Sequence, residues 1–194
     1  MRKLGAPFQV VASNVEESFP SGLNPFETVR FLAEKKANAV AKFYHDHMVV
    51  GADTTVVFKG NLLGKPRDIE AAGYMLRSLR AQEHRVVTGL ALVDTRMGSS
   101  RCTAVSTLVQ MRDYLEGEVL EYLATGEYAD KAGGYAIQGL GEKLVDRIEG
   151  CYYNVVGLPL CELTSLLFEL DWPVNVSELA CRLPSQMPCP RYKS

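Results

Sequence analysis

The alternation of apolar and polar positions divides the chain into short elements around one central stretch. Residues 48–58, MVVGADTTVVF, form two apolar runs separated by Gly51-Ala52-Asp53-Thr54. Valine-rich runs with few charges suit a strand covered on both faces. An ionised carboxylate there needs a paired charge or a cation. Gly51 and Ala52 remove bulk beside it and let another group approach. Asp53 therefore reads either as an acid set in a cleft or as a turn aspartate between two short strands.

The flanking pattern is readable in order. Phe8 to Ala12 predicts a short strand, followed by Glu16-Glu17 and a loop rich in Ser, Pro and Gly. Asn24-Pro25-Phe26-Glu27 opens a helix with a capping box, running to about residue 43. Its apolar stripe holds Phe26, Val29, Leu32, Ala33, Ala37 and Val40, with Lys36 among them. That lysine either lies along the core edge or reaches over it into a cleft. Lys59-Gly60-Asn61 predicts a hairpin turn, and Lys65 before Pro66 reads alone as a surface lysine. Residues 68–79 form an amphipathic helix with Ala72, Met75, Leu76 and Leu79 on one face. Residues 84–93 and 102–111 predict an antiparallel hairpin across a polar turn at 94–101, and 115–124 another helix. The glycine-dense segment 125–141 suits either backbone lying against a ligand or turn geometry alone. A strand at 144–148 and a turn at 150–154 precede a last helix, opening at Val155 and continuing through Leu170.

Composition narrows the function. The chain has 194 residues, 47% hydrophobic and 23% charged, enough for one sizeable core. A net charge of -2 argues against binding a nucleic-acid polymer, which needs a concentrated basic face. No apolar run approaches the roughly 20 residues of a membrane span. Gly5-Ala6-Pro7 follows Arg2-Lys3 where a signal peptide would have its apolar core. The five cysteines, at 102, 151, 161, 181 and 189, lack ligand spacing. They read as reduced thiols of a cytoplasmic protein. His45-Asp46-His47 reads as a polar loop, since no further ligand is near.

The separate signals also occur in a definite order. Asn14-Val15-Glu16-Glu17 is followed by Lys35-Lys36-Ala37, Gly51-Ala52-Asp53-Thr54 and Leu63-Gly64-Lys65-Pro66. Thr125-Gly126-Glu127 with Asp130-Lys131-Ala132-Gly133, then Ile137-Gln138-Gly139, then Asn154-Val155-Val156-Gly157-Leu158-Pro159 complete the series. Each motif is weak alone; seven in this order resemble the Maf family of nucleoside triphosphate pyrophosphatases. The resemblance covers residues 1–170, one domain, with 171–194 expected to be a weakly structured extension.

The resemblance implies an α/β fold with a mixed, elongated sheet around a central cleft, similar to the inosine triphosphate pyrophosphatases. It implies hydrolysis of a nucleoside triphosphate to monophosphate and pyrophosphate with a divalent metal, Mg²⁺ or Mn²⁺, and a homodimer. Asp53 matches the family's catalytic acid, and Glu16 the acid of its V-x-E motif. Lys36 and Lys65 match its phosphate-cleft lysines, and Thr54 and Gln138 its positions tied to substrate choice. Asp-Thr with Ile-Gln-Gly is the pattern of the branch acting on dTTP and UTP, as opposed to 7-methyl-GTP. The residue types suit that chemistry. Glu16 and Asp53 together would hold the metal. Asp53 would also activate water, and the lysines would stabilise the leaving pyrophosphate. Gln138 offers a donor and an acceptor to the O4/N3 edge of a pyrimidine. The family's opening strand and S-x-S-P-R-R loop are not seen in this sequence. The expectation is a start upstream of Met1, and otherwise a nucleotide-binding protein with impaired catalysis.

Overall fold

The computed structural model describes residues 6–173. Helix α1, Pro25–Ala41, begins as its sequence dictates. Asn24 Oδ1 accepts from the N–H groups of Phe26 and Glu27 at 2.9 and 3.0 Å, and Glu27 accepts from Asn24 N–H at 2.8 Å. This reciprocal cap satisfies donors the first turn would otherwise leave open. The helix buries Val29, Leu32, Ala33 and Ala37.

The central stretch is one continuous strand, β1, Met48–Phe58. The two apolar runs are therefore not separate strands, and Asp53 is not a turn residue. A two-residue turn, Lys59 and Gly60 both at positive φ, returns the chain as β2, Asn61–Leu63. That left-handed pair matches the twist of the strands it joins. Helix α2, Ile69–Leu79, is capped by Asp68, whose side chain accepts from Ala71 N–H at 2.7 Å. The long hairpin follows as β3, Glu83–Asp94, and β4, Ser99–Met111. Helix α3, Glu116–Ala124, and strand β5, Val145–Glu149, lie on either side of the glycine-rich segment. That segment folds into short 3-10 turns at Ala132–Gly134 and Gly139–Leu144.

The sheet runs β2-β1-β3-β4-β5, and all its pairings among the described residues are antiparallel, where a mixed sheet was expected. Asp53 stands opposite Gly89 and Thr54 opposite Thr88. Because side chains alternate, Asp53 and Thr54 leave β1 on opposite faces. Helix α1 covers the Asp53 face and approaches so closely that a side chain at two glycines would strike it. A Cβ at Gly51 would lie 2.4 Å from the Ala33 carbonyl oxygen, and one at Gly89 2.1 Å from that of Val29. The opposite face is covered in two parts. Leu76, Leu79, Val86, Val109 and Tyr114 pack at one end, and Leu90, Leu92, Leu163 and Leu167 at the other.

Two expected elements differ. Residues 8–12 are not a strand: no described strand pairs with them, and Val10 is 85% exposed. An extended segment without a ladder partner leaves its backbone groups to water. The last helix is also divided. Helix α4, Tyr152–Val156, occupies part of the expected turn and ends at Gly157, at φ 109. Helix α5, Leu160–Glu169, starts only after Pro159, which cannot continue a helix interior. Trp172 stacks on Arg96, 3.9 Å from guanidinium carbon to ring centre. The rest of the expected extension, residues 174–194, and the expected helical turn at 1–4 lie outside the described residues.

The close seating of α1 makes a test. Gly89→Ala is expected to lower unfolding free energy by about 1–3 kcal/mol, the usual cost of overpacking. Gly117→Ala, in open space on α3, is expected to stabilise by about 0.4–1 kcal/mol. Urea unfolding of both variants checks the contrast.

Candidate active site

Helix α1 presents Lys36 toward the one acid on the adjoining face of β1. Lys36 Nζ donates to Asp53 Oδ1 at 2.6 Å and lies 2.7 Å from Glu17 Oε1. The Asp53 side chain is 11% exposed, that of Glu17 51%. Lys35, the preceding residue, donates to the Ser18 carbonyl at 3.1 Å. Two successive lysines thus pin the irregular segment carrying Glu17 against α1.

These three groups form one wall of a cleft of about 540 Å³. Thr54, Lys65, Asp130, Lys131, Tyr135 and Gly157 also line it. The β2–α2 connection brings in Lys65, and a hydrogen bond from Gly133 N–H to the Gly64 carbonyl at 3.1 Å joins it to the glycine-rich segment. Gly133, at φ 74, lies against Val56 of β1, where a Cβ would come within 2.9 Å of a methyl group. Here the glycine is required by both its conformation and the close approach. Asp130 and Lys131 pair at 2.7 Å on the same segment. Behind the cleft, the Tyr135 hydroxyl meets the ring of buried His84 at 2.7 Å. Burial lowers the His84 pKa to about 4, so the ring is neutral near pH 7.

The two acids are driven apart. Burial pushes the Asp53 carboxyl above its ordinary value, and the hydrogen bond and charge of Lys36 only partly offset this. Glu17 is held below its ordinary value by its hydrogen bond to Lys36, with Lys65 helping. Burial pulls Lys36 down, but its bonds to Asp53 and Glu17 leave it raised. Such divergence separates a proton acceptor from a carboxylate that stays ionised.

Of the residues read from sequence, the fold brings together Lys36, Asp53, Thr54 and Lys65. It does not bring Glu16 or Gln138 to the cleft; both are exposed and neither lines it. The acid at the cleft is Glu17. It is Glu17, and not its neighbour Glu16, that pairs with Lys36. Counting V-x-E from Val15 lands on Glu17, and that spacing was the available signal. Gln138 sits on a loop held elsewhere: Glu127 accepts from Leu140 N–H at 3.2 Å. Asp130 and Lys131, read only as part of a motif, are cleft residues.

The donor set fits a hard divalent cation. Two carboxylates share one ammonium position, and Mg²⁺ ordinarily takes one or two carboxylates and fills the rest of its shell with water and phosphate oxygens. Among the described residues no group of three or more His, Cys, Asp or Glu could hold a metal alone. His45 and His47 form a loop contact with each other, His47 Nδ1 to the His45 carbonyl.

A family model described as Maf-like protein matches residues 1–170. A protein of Pelotomaculum thermopropionicum named dTTP/UTP pyrophosphatase is 42% identical over 174 residues, covering 90% of this chain and 91% of its own. One of the same name from Dictyoglomus thermophilum is 44% identical, covering 89% and 90%. Another, from Acetivibrio thermocellus, is 44% identical over 183 residues, covering 91% and 90%.

Removing the ammonium tests the electrostatics. In Lys36→Met, burial and the Glu17 charge act on Asp53 with only the smaller effect of Lys65 against them, so its carboxyl is expected to titrate at higher pH than in the unaltered, metal-free protein. Carboxyl-carbon NMR titration reads this directly; an unchanged or lower value contradicts it.

Proposed function

The chain belongs to the Maf family, and from that premise we propose that it hydrolyses dTTP and UTP to the nucleoside monophosphate and pyrophosphate. The observation that carries this reading is the single ammonium shared by Asp53 and Glu17 on the wall of a cleft that also holds Lys65. The names of the relatives support the choice of nucleotide.

Water attacks the α-phosphorus, and the bond to the α–β bridging oxygen breaks, releasing pyrophosphate. Asp53 takes the proton from the attacking water, a role that its place on the cleft wall beside Lys36 allows. Lys36 and Lys65 supply fixed positive charge to the phosphate oxygens and the departing pyrophosphate. Glu17 and Asp53 would hold the divalent cation, which when bound neutralises charge on those oxygens. Thr54 and the α4 end of the cleft remain for the nucleoside. The cytoplasm is the expected compartment, in keeping with the free thiol of Cys102. No helix among the described residues is long and apolar enough to cross a membrane.

Pyrophosphate release from UTP is expected to fall by about 10²–10⁴-fold in Asp53→Asn, the usual worth of a positioned general base. Glu17→Gln is expected to weaken activity strongly and raise the Mg²⁺ concentration required, whereas Glu16→Gln stays within about twofold, as surface changes generally do. EDTA is expected to stop turnover and added Mg²⁺ to restore it. Faster turnover of 7-methyl-GTP than of UTP, or equal losses in the two glutamate variants, contradicts this reading.

A further inference from the structure

Thr54 meets Thr88 directly across the β1–β3 ladder, on the face opposite Asp53. Their hydroxyl oxygens lie 2.9 Å apart, and Thr88 Oγ1 lies 3.1 Å from the Asn154 carbonyl oxygen. Two contacts share two hydroxyl hydrogens, and the carbonyl contributes none. If Thr88 gave its hydrogen to Thr54, lone pairs would face each other across the contact with Asn154. The assignment with a hydrogen in both contacts has Thr88 donating to Asn154 and Thr54 donating to Thr88.

The acceptor at the end of this relay is fixed. Thr88 and Asn154 are both 0% exposed. The Asn154 carbonyl also accepts from Gly157 N–H at 3.0 Å. Its side-chain amide donates to the Val86 carbonyl at 2.9 Å and to Thr107 Oγ1 at 3.0 Å. The hydrogen of Thr54 is therefore committed inward, and its oxygen has only lone pairs left for a ligand. Gly157 leaves that oxygen uncovered: a Cβ there would sit 3.6 Å from it, and both residues line the cleft.

We infer that Thr88, anchored by Asn154, sets Thr54 as a hydrogen-bond acceptor that selects a base with an N–H at ring position 3. Uracil and thymine carry that donor. Cytosine has a lone pair in its place, so two acceptors would face each other in a partly dehydrated cleft, with a penalty for each unpaired group. Thr88 is a positioning residue: it acts through Thr54 and does not touch the base. The inference deepens the pyrophosphatase reading and rests on it for the presence of a nucleotide in the cleft.

Calorimetry with α,β-methylene-UTP, α,β-methylene-CTP and the N3-methyl form of the first tests base recognition apart from turnover. The unaltered protein is expected to bind the uridine analogue at least about tenfold more tightly than either other, the scale of one unpaired polar group. Thr88→Val keeps the shape and frees the Thr54 hydrogen; its uridine preference over cytidine is expected to shrink to about threefold or less, less than half that penalty. Thr88→Ser is expected to restore the preference. Equal affinity of the unaltered protein for the N3-methyl analogue overturns the inference, and so does full preference in a folded Thr88→Val. Should that variant not fold, the N3-methyl comparison decides. Pyrophosphate release from UTP, assayed separately, isolates the parent reading: base preference without turnover supports the inference and sinks the enzyme.

Discussion

The site depends on how closely one helix lies on the sheet. Helix α1 rests on β1 and β3 at Gly51 and Gly89, with backbone oxygen where side chains would otherwise be. Ala33 and Ala37 fill the same contact with the least bulk, and both are fully buried. This spacing lets Lys36, one turn along from Leu32 and beside Ala37, reach Asp53 at 2.6 Å. A helix held farther away would leave a partly buried carboxylate beside Glu17 with no cation between them.

That arrangement is costly by itself. Asp53 is desolvated, and Glu17 adds a second negative charge. Ion pairs of this kind seldom stabilise a fold once dehydration is counted. They persist where the charges serve a reaction, and perturbed carboxyls in clefts are a common mark of such places. Lys36 pairs with both acids, and on the proposed mechanism the same charge meets phosphate. The opposite face of β1 has a different task, because Thr54 projects toward α4 and Gly157. One strand thus places the proposed proton acceptor and the proposed hydrogen-bond acceptor on adjacent residues that leave it in opposite directions.

Much of this was legible because local rules coincide with the fold. The capping box at Asn24, the turn at Lys59-Gly60 and the hairpin follow from residue type and period, whereas the residues alone left open whether Asp53 lies within one strand or at a turn between two. The fourfold coincidence of Lys36, Asp53, Thr54 and Lys65 in one cleft followed from motif order. The α/β class was likewise expected from the family resemblance. What failed involved irregular backbone. Asn14 sits at φ 49 just before the acid pair, so periodicity does not carry across it, and the V-x-E spacing from Val15 was the one signal for Glu17. Gln138 follows two glycines at positive φ, Gly133 and Gly134, so its direction is set by loop contacts distant in sequence. Residues 8–12 carry strand-forming side chains, but a strand is defined by its neighbour. The break at Gly157 was written in the sequence, in glycine two residues before proline, and was outweighed by the leucine pattern beyond it.

On the proposed mechanism, Asp53 and its lysine-held surroundings direct water to the α-phosphorus. Hydrolysis of UTP in water enriched in oxygen-18, with mass spectrometry of both products, tests it most directly. One labelled oxygen is expected in the uridine monophosphate and none in the pyrophosphate. Label in the pyrophosphate, or release of labelled inorganic phosphate instead, would place the attack on another phosphorus and contradict the account.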